Sequence, residues 1–163
     1  MYTVGILTAS DKGSKGERED KSGAVIREII EKNGYSVKSY RIVADEQNLL
    51  EEAMIEMADY DKVNLILTTG GTGFSMRDRT PEATIAVCDR MAPGIPEAIR
   101  AYSLKITNRA MLSRAVAGIR NQTLIINMPG SPKAVKESLD CILDAISHGI
   151  DILAGEASEC ART

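Results

Sequence analysis

Short apolar runs alternate with amphipathic stretches along the chain, and the period of the pattern switches between two and about 3.6 residues. Thr3 to Thr8 (T-V-G-I-L-T) reads as a buried strand, and after a long polar loop Gly23 to Lys32 reads as a helix carrying Val25, Ile26, Ile29 and Ile30. Ser36 to Val43 alternates around Val37, Ile42 and Val43 as a second strand; Asp45 then stands as the N-cap of a helix with Leu49, Leu50, Ala53, Met54 and Met57 on one face. Asn64 to Thr69 is a third strand and runs into Gly70-Gly71-Thr72-Gly73. Beyond that turn, Thr80-Pro81 is expected to supply an N-cap and a first-turn proline for a helix reaching about Met91.

Pro93-Gly94 breaks the pattern, Pro96 to Leu104 resumes helical spacing, and Asn108 to Arg114 reads as irregular or briefly helical. Val116 to Arg120 and Thr123 to Met128, separated by Asn121-Gln122, are expected to pair as an antiparallel hairpin, which would make the sheet mixed. Met128-Pro129-Gly130-Ser131-Pro132 repeats the order strand, glycine, hydroxyl, proline, helix. The helix that follows keeps Val135, Leu139, Ile142, Leu143, Ile146, Ile150 and Leu153 on one face, and the last ten residues lose periodicity and are expected to fray.

Strands alternating with helices predict a three-layer α/β/α domain with a mostly parallel sheet. Such sheets bind ligands outside the strand carboxyl ends. Polar residues gather there: Ser10-Asp11, Asp45, Gly70 to Asp78, and Asn127 to Ser131.

Composition narrows the class. The 163 residues, 44% of them hydrophobic, suit one domain spanning 1–163. A formal charge of −3 argues against a nucleic-acid coat and leaves room for a local basic pocket, so the expected partner is a small molecule. No apolar run approaches the roughly 18 residues of a membrane span, and the first residues lack a signal-peptide pattern, so a cytoplasmic protein is expected. Cys88, Cys141 and Cys160 are too scattered for a disulfide framework or a C-x-x-C site, and His148 lies on an amphipathic stretch, so neither zinc nor redox chemistry is expected.

The candidate chemistry centres on the glycine turn. G-G-T-G lacks the G-K-[ST] ending of a P-loop and the spacing of a dinucleotide-binding turn. Glycines at a strand end still let backbone N–H groups approach an anion closely, although the same turn also occurs with no ligand at all. With Thr80 expected as the cap, Asp78 is left free to point into a cleft. Asp45 reads equally well as an ordinary cap, but with Asp78 it offers two carboxylates on neighbouring strand ends, suited to a Mg²⁺ that keeps waters and bridges phosphates. Arg77, Arg79, Arg109, Arg114 and Lys133 flank these loops. Ser103, Ser113 and Asn127 carry hydrogen-bonding groups for a heterocycle, though in loops such residues more often serve turns.

With these residues in view, the chain resembles the molybdopterin adenylyltransferase family: the bacterial MogA proteins and the G domains of plant and animal molybdenum-cofactor proteins. The likeness rests on T-T-G-G-T-G-F-S-M-R-D-R-T-P-E-A-T at 68–84, A-M-L-S-R-A-V-A-G-I-R at 110–120 and T-L-I-I-N-M-P-G-S-P-K-A-V at 123–135, completed by L-T-A-S-D at 7–11 and V-A-D-E at 43–46. It implies an α/β/α sandwich, a homotrimer, and Mg²⁺-dependent transfer of AMP from ATP to the terminal phosphate of molybdopterin. The family's two essential acidic positions fall on Asp45 and Asp78, and its pterin-site positions on Thr72, Ser103, Ser113 and Asn127. Gly70, Gly71, Gly73, Gly130, Ser131, Ser10 and Asp11 line the same cleft by the strand-end argument. The resemblance assigns no role to residues 12–22, and it allows a transient contact with the molybdate-inserting enzyme.

Other readings stay open beside it: an inactive MoaB-like paralogue serving as a pterin-binding or partner-binding module, a molybdate-inserting transferase, and a flavodoxin-like carrier. The last two fit poorly, because the former belongs to a longer chain and the latter stacks its flavin on aromatics, whereas this sequence has no Trp and one Phe.

Overall fold

The computed structural model describes residues 1–156; Cys160 and the end of the chain lie outside the described residues. Strands β1 (Thr3–Ala9), β2 (Ser36–Val43), β3 (Leu65–Thr69), β4 (Arg90–Met91), β5 (Ala117–Arg120) and β6 (Thr123–Met128) form one sheet in the order β2-β1-β3-β6-β5-β4. The four strands from β2 to β6 in that order are mutually parallel, and β5 and β4 close the far edge antiparallel. The hairpin of β5 and β6 turns at Asn121, which takes the left-handed backbone (φ 52°) that a tight hairpin needs and Asn tolerates.

Helices α1 (Asp11–Ser14), α2 (Lys21–Lys32), α3 (Gln47–Ile55), α4 (Thr80–Val87), α5 (Gly94–Leu104) and α6 (Pro132–Leu153) cover both faces, with a π-turn at Glu56–Tyr60 and a 3-10 turn at Asn108–Leu112. Alternation along the strands sorts the core into two layers. Val4 and Ile6, Leu65 and Leu67, and Leu124 and Ile126 meet Ile26 and Ile30 of α2 and Leu139, Ile142 and Ile146 of α6 on one face. Leu7, Ile66 and Ile125 meet Leu50 and Met54 of α3 and Ala83 and Val87 of α4 on the other. At about 25 cal/mol per Å² these faces supply the main drive for the sandwich.

Three local expectations change. The helix expected to reach Met91 ends at Val87, because Cys88 turns extended (ψ 140°) and the Asp89 N–H donates to the Ile119 carbonyl at 2.8 Å, so the sheet edge captures the chain as β4. Thr80 is not the cap of α4 but its first residue: Arg79 holds the cap position without a side-chain bond, and buried Thr80 donates from Oγ1 to the Gly70 carbonyl at 3.0 Å. Asp45 does not cap α3 either; Glu46 does, again without a side-chain bond.

The chain crosses from β1 to β2 on one side, then from β2 back past β1 to β3 on the other. Such a reversal opens a crevice between the carboxyl ends of β1 and β3. Gly70 lies so close to β1 there that a Cβ would collide with the Ala9 carbonyl oxygen, and its φ of 87° also excludes an ordinary side chain.

Candidate active site

The segment 70–79 carries most of the site, and three ties hold it. From beneath, Asn127 donates from Nδ2 to Thr84 Oγ1 at 2.9 Å and Thr68 Oγ1 at 3.1 Å, Thr84 donates to the Thr80 carbonyl at 2.9 Å, and Thr80 reaches Gly70. From one side, Arg114 donates to the carbonyls of Gly73 (Nε, 2.7 Å) and Asp78 (Nη2, 2.8 Å) while its Nη1 pairs with Glu82 at 2.5 Å. From the other, Arg77 grips Asp11 with two hydrogen bonds, 3.1 and 2.8 Å, and reaches Glu46 at 3.3 Å.

Asp45 and Asp78 both lie against this turn. A Cβ built on Gly71 would stand 3.4 Å from Asp45 Oδ1, and one on Gly73 would stand 3.0 Å from Asp78 Oδ2. Asp78 is less free than its sequence context implies, because Oδ2 accepts from the Ser75 N–H at 3.0 Å and closes a tight turn. Asp45 and Asp11 exchange paired bonds: the Asp11 N–H donates to Asp45 Oδ2 and the Asp45 N–H to Asp11 Oδ1, both at 3.0 Å. Each of Asp45 and Asp78 keeps one carboxylate oxygen without a hydrogen bond among the described residues. The charge environments differ. Burial, then the neighbouring charges of Asp11 and Asp78, push Asp45 above the ordinary carboxylate value, whereas the Arg77 hydrogen bonds hold Asp11 below it.

Three cavities open around the turn. The largest of them, about 670 Å³, lies over the ends of β1 and β3 and is lined by Ser10, Gly70, Gly130 and the start of α2, with Arg18 and Lys21 alternating with Glu19 and Asp20. A second of about 300 Å³ is lined by Thr72, Gly73, Ser103, Ser113 and Gly130, the apolar Ile99 and Leu112, and the guanidinium-bearing Arg100 and Arg109. A third of about 480 Å³ holds Asp45, Gln47, Arg77 and Arg79. Gly130 borders both of the first two; a Cβ on it would sit 3.8 Å from the Gly70 Cα, so these two glycines form the floor between them.

Most expected site residues thus converge. Asn127 stands apart: it is fully buried, its Oδ1 accepts from the Val116 N–H at 3.1 Å, and its Nδ2 donates to Thr84 of α4, so it supports the turn from beneath. Ser131 accepts from the Ala134 N–H at 3.2 Å as the cap of α6. Ser22 received no role from sequence, yet its hydroxyl donates to the Gly130 carbonyl at 2.6 Å and its residue walls the largest cavity. The usable signal was the D-K-S-G opening of α2, where Asp20 caps the helix by accepting from the Gly23 N–H at 3.0 Å.

Residues 5–148 match the family model described as a probable molybdopterin binding domain. The chain belongs to this molybdopterin-binding domain family. A molybdopterin adenylyltransferase of Helicobacter pylori strain J99 is 47% identical over 154 residues, covering 93% of this chain and 88% of that one. Among solved structures, the molybdopterin biosynthesis enzyme MoaB of Thermus thermophilus aligns with a TM-score of 0.90 at 45% identity, over 98% of this chain and 100% of that one. The Mog protein of Mycobacterium ulcerans aligns at 0.88 and 39% identity, over 94% and 99%. The molybdopterin-binding domain family accounts for the α/β/α sandwich and its mixed, mostly parallel sheet.

Proposed function

We propose that the chain, acting as one domain, is a molybdopterin adenylyltransferase of molybdenum-cofactor biosynthesis that moves AMP from ATP to the terminal phosphate of molybdopterin and releases pyrophosphate. The observation that carries this reading is the placement of Asp45 and Asp78 against one glycine turn, whose end residues Gly70 and Gly73 border two cavities that share Gly130. The larger cavity, lined by Arg18 and Lys21 together with Glu19 and Asp20, has room for a nucleotide. The smaller pairs apolar walls with Arg100, Arg109 and hydroxyl groups, a lining suited to a flat heterocycle bearing a phosphate.

Two substrates so placed bring phosphate to phosphate above the turn. An oxygen of the pterin phosphate attacks the α-phosphorus of ATP, a new P–O bond forms, and the bond to the β-phosphate oxygen breaks with pyrophosphate carrying away the electron pair. The attacking phosphate is already ionised at neutral pH, so no general base is required, and positioning with charge neutralisation suffices. That agrees with a site built without His or Cys. Gly70 and Gly71 (φ 87° and 69°) hold the turn in a backbone shape that side chains rarely adopt, and their missing Cβ atoms leave room for the Ala9 carbonyl and Thr80 Oγ1 packed against it.

The unbonded oxygens of Asp45 and Asp78 fit Mg²⁺ as hard ligands. Among the described residues no three His, Cys, Asp or Glu converge on one point, which suits an ion shared with phosphates and water in place of a closed protein cage. When bound, Mg²⁺ would offset the charge accumulating on the phosphates. Assembly as a homotrimer and a transient contact with the molybdate-inserting enzyme follow the family resemblance, and a cytoplasmic setting follows the sequence reading.

The test is to incubate purified protein with molybdopterin and MgATP and assay adenylyl-molybdopterin and pyrophosphate, with Asp78→Asn as control. Product from the wild type, and turnover lowered about a hundredfold or more in the variant with pterin affinity retained, supports the reading. The second reading is a pterin-binding module without turnover. Measurable pterin binding without product would favour it.

A further inference from the structure

We propose that Arg77 is a positioning residue that sets Asp45 for the metal-nucleotide end of the reaction by acting through Asp11. The inference rests on the adenylyltransferase reading of Asp45 and Asp78. Its basis is a continuous hydrogen-bonded path. Arg77 donates from Nε to Asp11 Oδ2 at 3.1 Å and from Nη2 to Asp11 Oδ1 at 2.8 Å, a fork that fixes the carboxylate plane. Asp11 Oδ1 accepts at the same time from the Asp45 N–H, and the Asp11 N–H donates to Asp45 Oδ2, both at 3.0 Å. Asp45 therefore cannot rotate its carboxylate without breaking a bond to a residue that Arg77 holds. Arg77 also precedes Asp78 directly, so one side chain ties the loop bearing one carboxylate to the loop bearing the other.

A purely structural ion pair is the competing account, and exposure weighs against it. The Arg77 and Asp11 side chains are 53% and 39% exposed, a setting in which solvent screening leaves an ion pair with little effect on stability. A bidentate grip with a further bond to Glu46 immobilises a long side chain for little gain in folding. Its effect falls on geometry: each carboxylate keeps one oxygen without a hydrogen bond among the described residues, and the distance between those oxygens depends on the two loops keeping their relative positions. Loss of Arg77 removes the ties of the 74–78 segment to Asp11 and Glu46, while Arg114 still anchors it at Gly73 and Asp78 and the neighbouring Arg79 still donates to Gln47. The change should be local.

The experiment compares wild type, Arg77→Ala and Arg77→Lys in four readouts: kcat, KM for MgATP, the dissociation constant of MnATP measured by calorimetry without the pterin, and the dissociation constant of molybdopterin. Thermal melting reports the fold. For Arg77→Ala the expected result is MnATP binding weakened about tenfold and kcat/KM for MgATP lowered by about ten- to a hundredfold, in the range of lost supports to metal ligands. Pterin affinity and melting temperature should stay near wild type. Lysine should restore only part, because an ammonium cannot hold both Asp11 oxygens.

Unchanged MnATP binding and kcat/KM in Arg77→Ala would overturn the proposal, as would full rescue by lysine or an equal loss of pterin affinity. If the wild type itself makes no adenylyl-molybdopterin, the functional reading fails instead, and the MnATP measurement still reports whether Arg77 supports a metal-nucleotide site.

Discussion

Arg114 donates from Nε to the carbonyl oxygen of Gly73 at 2.7 Å, tying a loop from the far side of the sheet to the glycine turn. The same guanidinium satisfies the Asp78 carbonyl and the Glu82 carboxylate, and its backbone N–H donates to the Thr72 carbonyl at 2.9 Å. A turn with two left-handed glycines has little preference of its own for one shape, so these bonds choose it. Arg114→Met should cost about 2 kcal/mol in urea denaturation by stranding a charged partner and two carbonyls, and kcat should fall with it. A stability within experimental error of wild type would remove Arg114 from this role.

Asn127 makes its contribution from inside the protein. Asn127→Ala would leave the Thr68 and Thr84 hydroxyls and the Val116 N–H short of partners in a buried region. Loss of about 2 kcal/mol or more in denaturant midpoint analysis is expected. Pterin affinity per folded molecule should change little. A variant that folds as well as wild type but loses the pterin would put Asn127 in direct contact with ligand after all.

Asp45 is held at a cost to the fold. Burial and the charges of Asp11 and Asp78 raise it above 3.8, so in this position the neutral form is preferred relative to the unfolded chain. The associated stability is present below the unfolded value and lost as pH rises through the folded one. Asp45→Asn should therefore melt higher than wild type at pH 7, and the gap should close below pH 3.8, where both side chains are neutral. Adenylyl transfer should be abolished in the same protein. A variant less stable at pH 7 would contradict this account.

Cys88 packs against Gly118, where a Cβ would meet its Sγ at 2.6 Å, and burial, aided by Asp89, lifts its thiol from 9.0 to about 11. At pH 8 it should react with a disulfide reagent far more slowly than in urea-unfolded protein. The sign for stability follows: the preference for the neutral thiol holds below 9.0 and is lost as pH rises through about 11. Fast labelling of native Cys88 at pH 8, located by peptide mapping, would refute the burial argument.

Much of the fold is legible in the sequence because it is written in local periodicity. Ser36–Val43 and Thr123–Met128 are strands at the expected bounds, and Ser131 caps α6 ahead of Pro132 as its sequence order suggests. The differences share one cause. Propensity favours Thr80 and Asp45 as caps, but tertiary partners engage them first, the Gly70 carbonyl in one case and Asp11 in the other. The end of α4 departs from expectation because the helical pattern continues past Val87 while the β5 edge offers the Ile119 carbonyl to Asp89.

What the sequence by itself determined is the alternation of elements, the glycine turn with its two flanking aspartates, and the family to compare with, since each depends on neighbours along the chain. Only the tertiary structure decided how those pieces act together. It turned Asn127 inward, opened the largest cavity onto Ser22, and joined Arg77 to Asp45 through Asp11. Those relationships link residues distant in sequence, and side-chain partners across loops are set by sheet order and backbone approach, which no local pattern encodes.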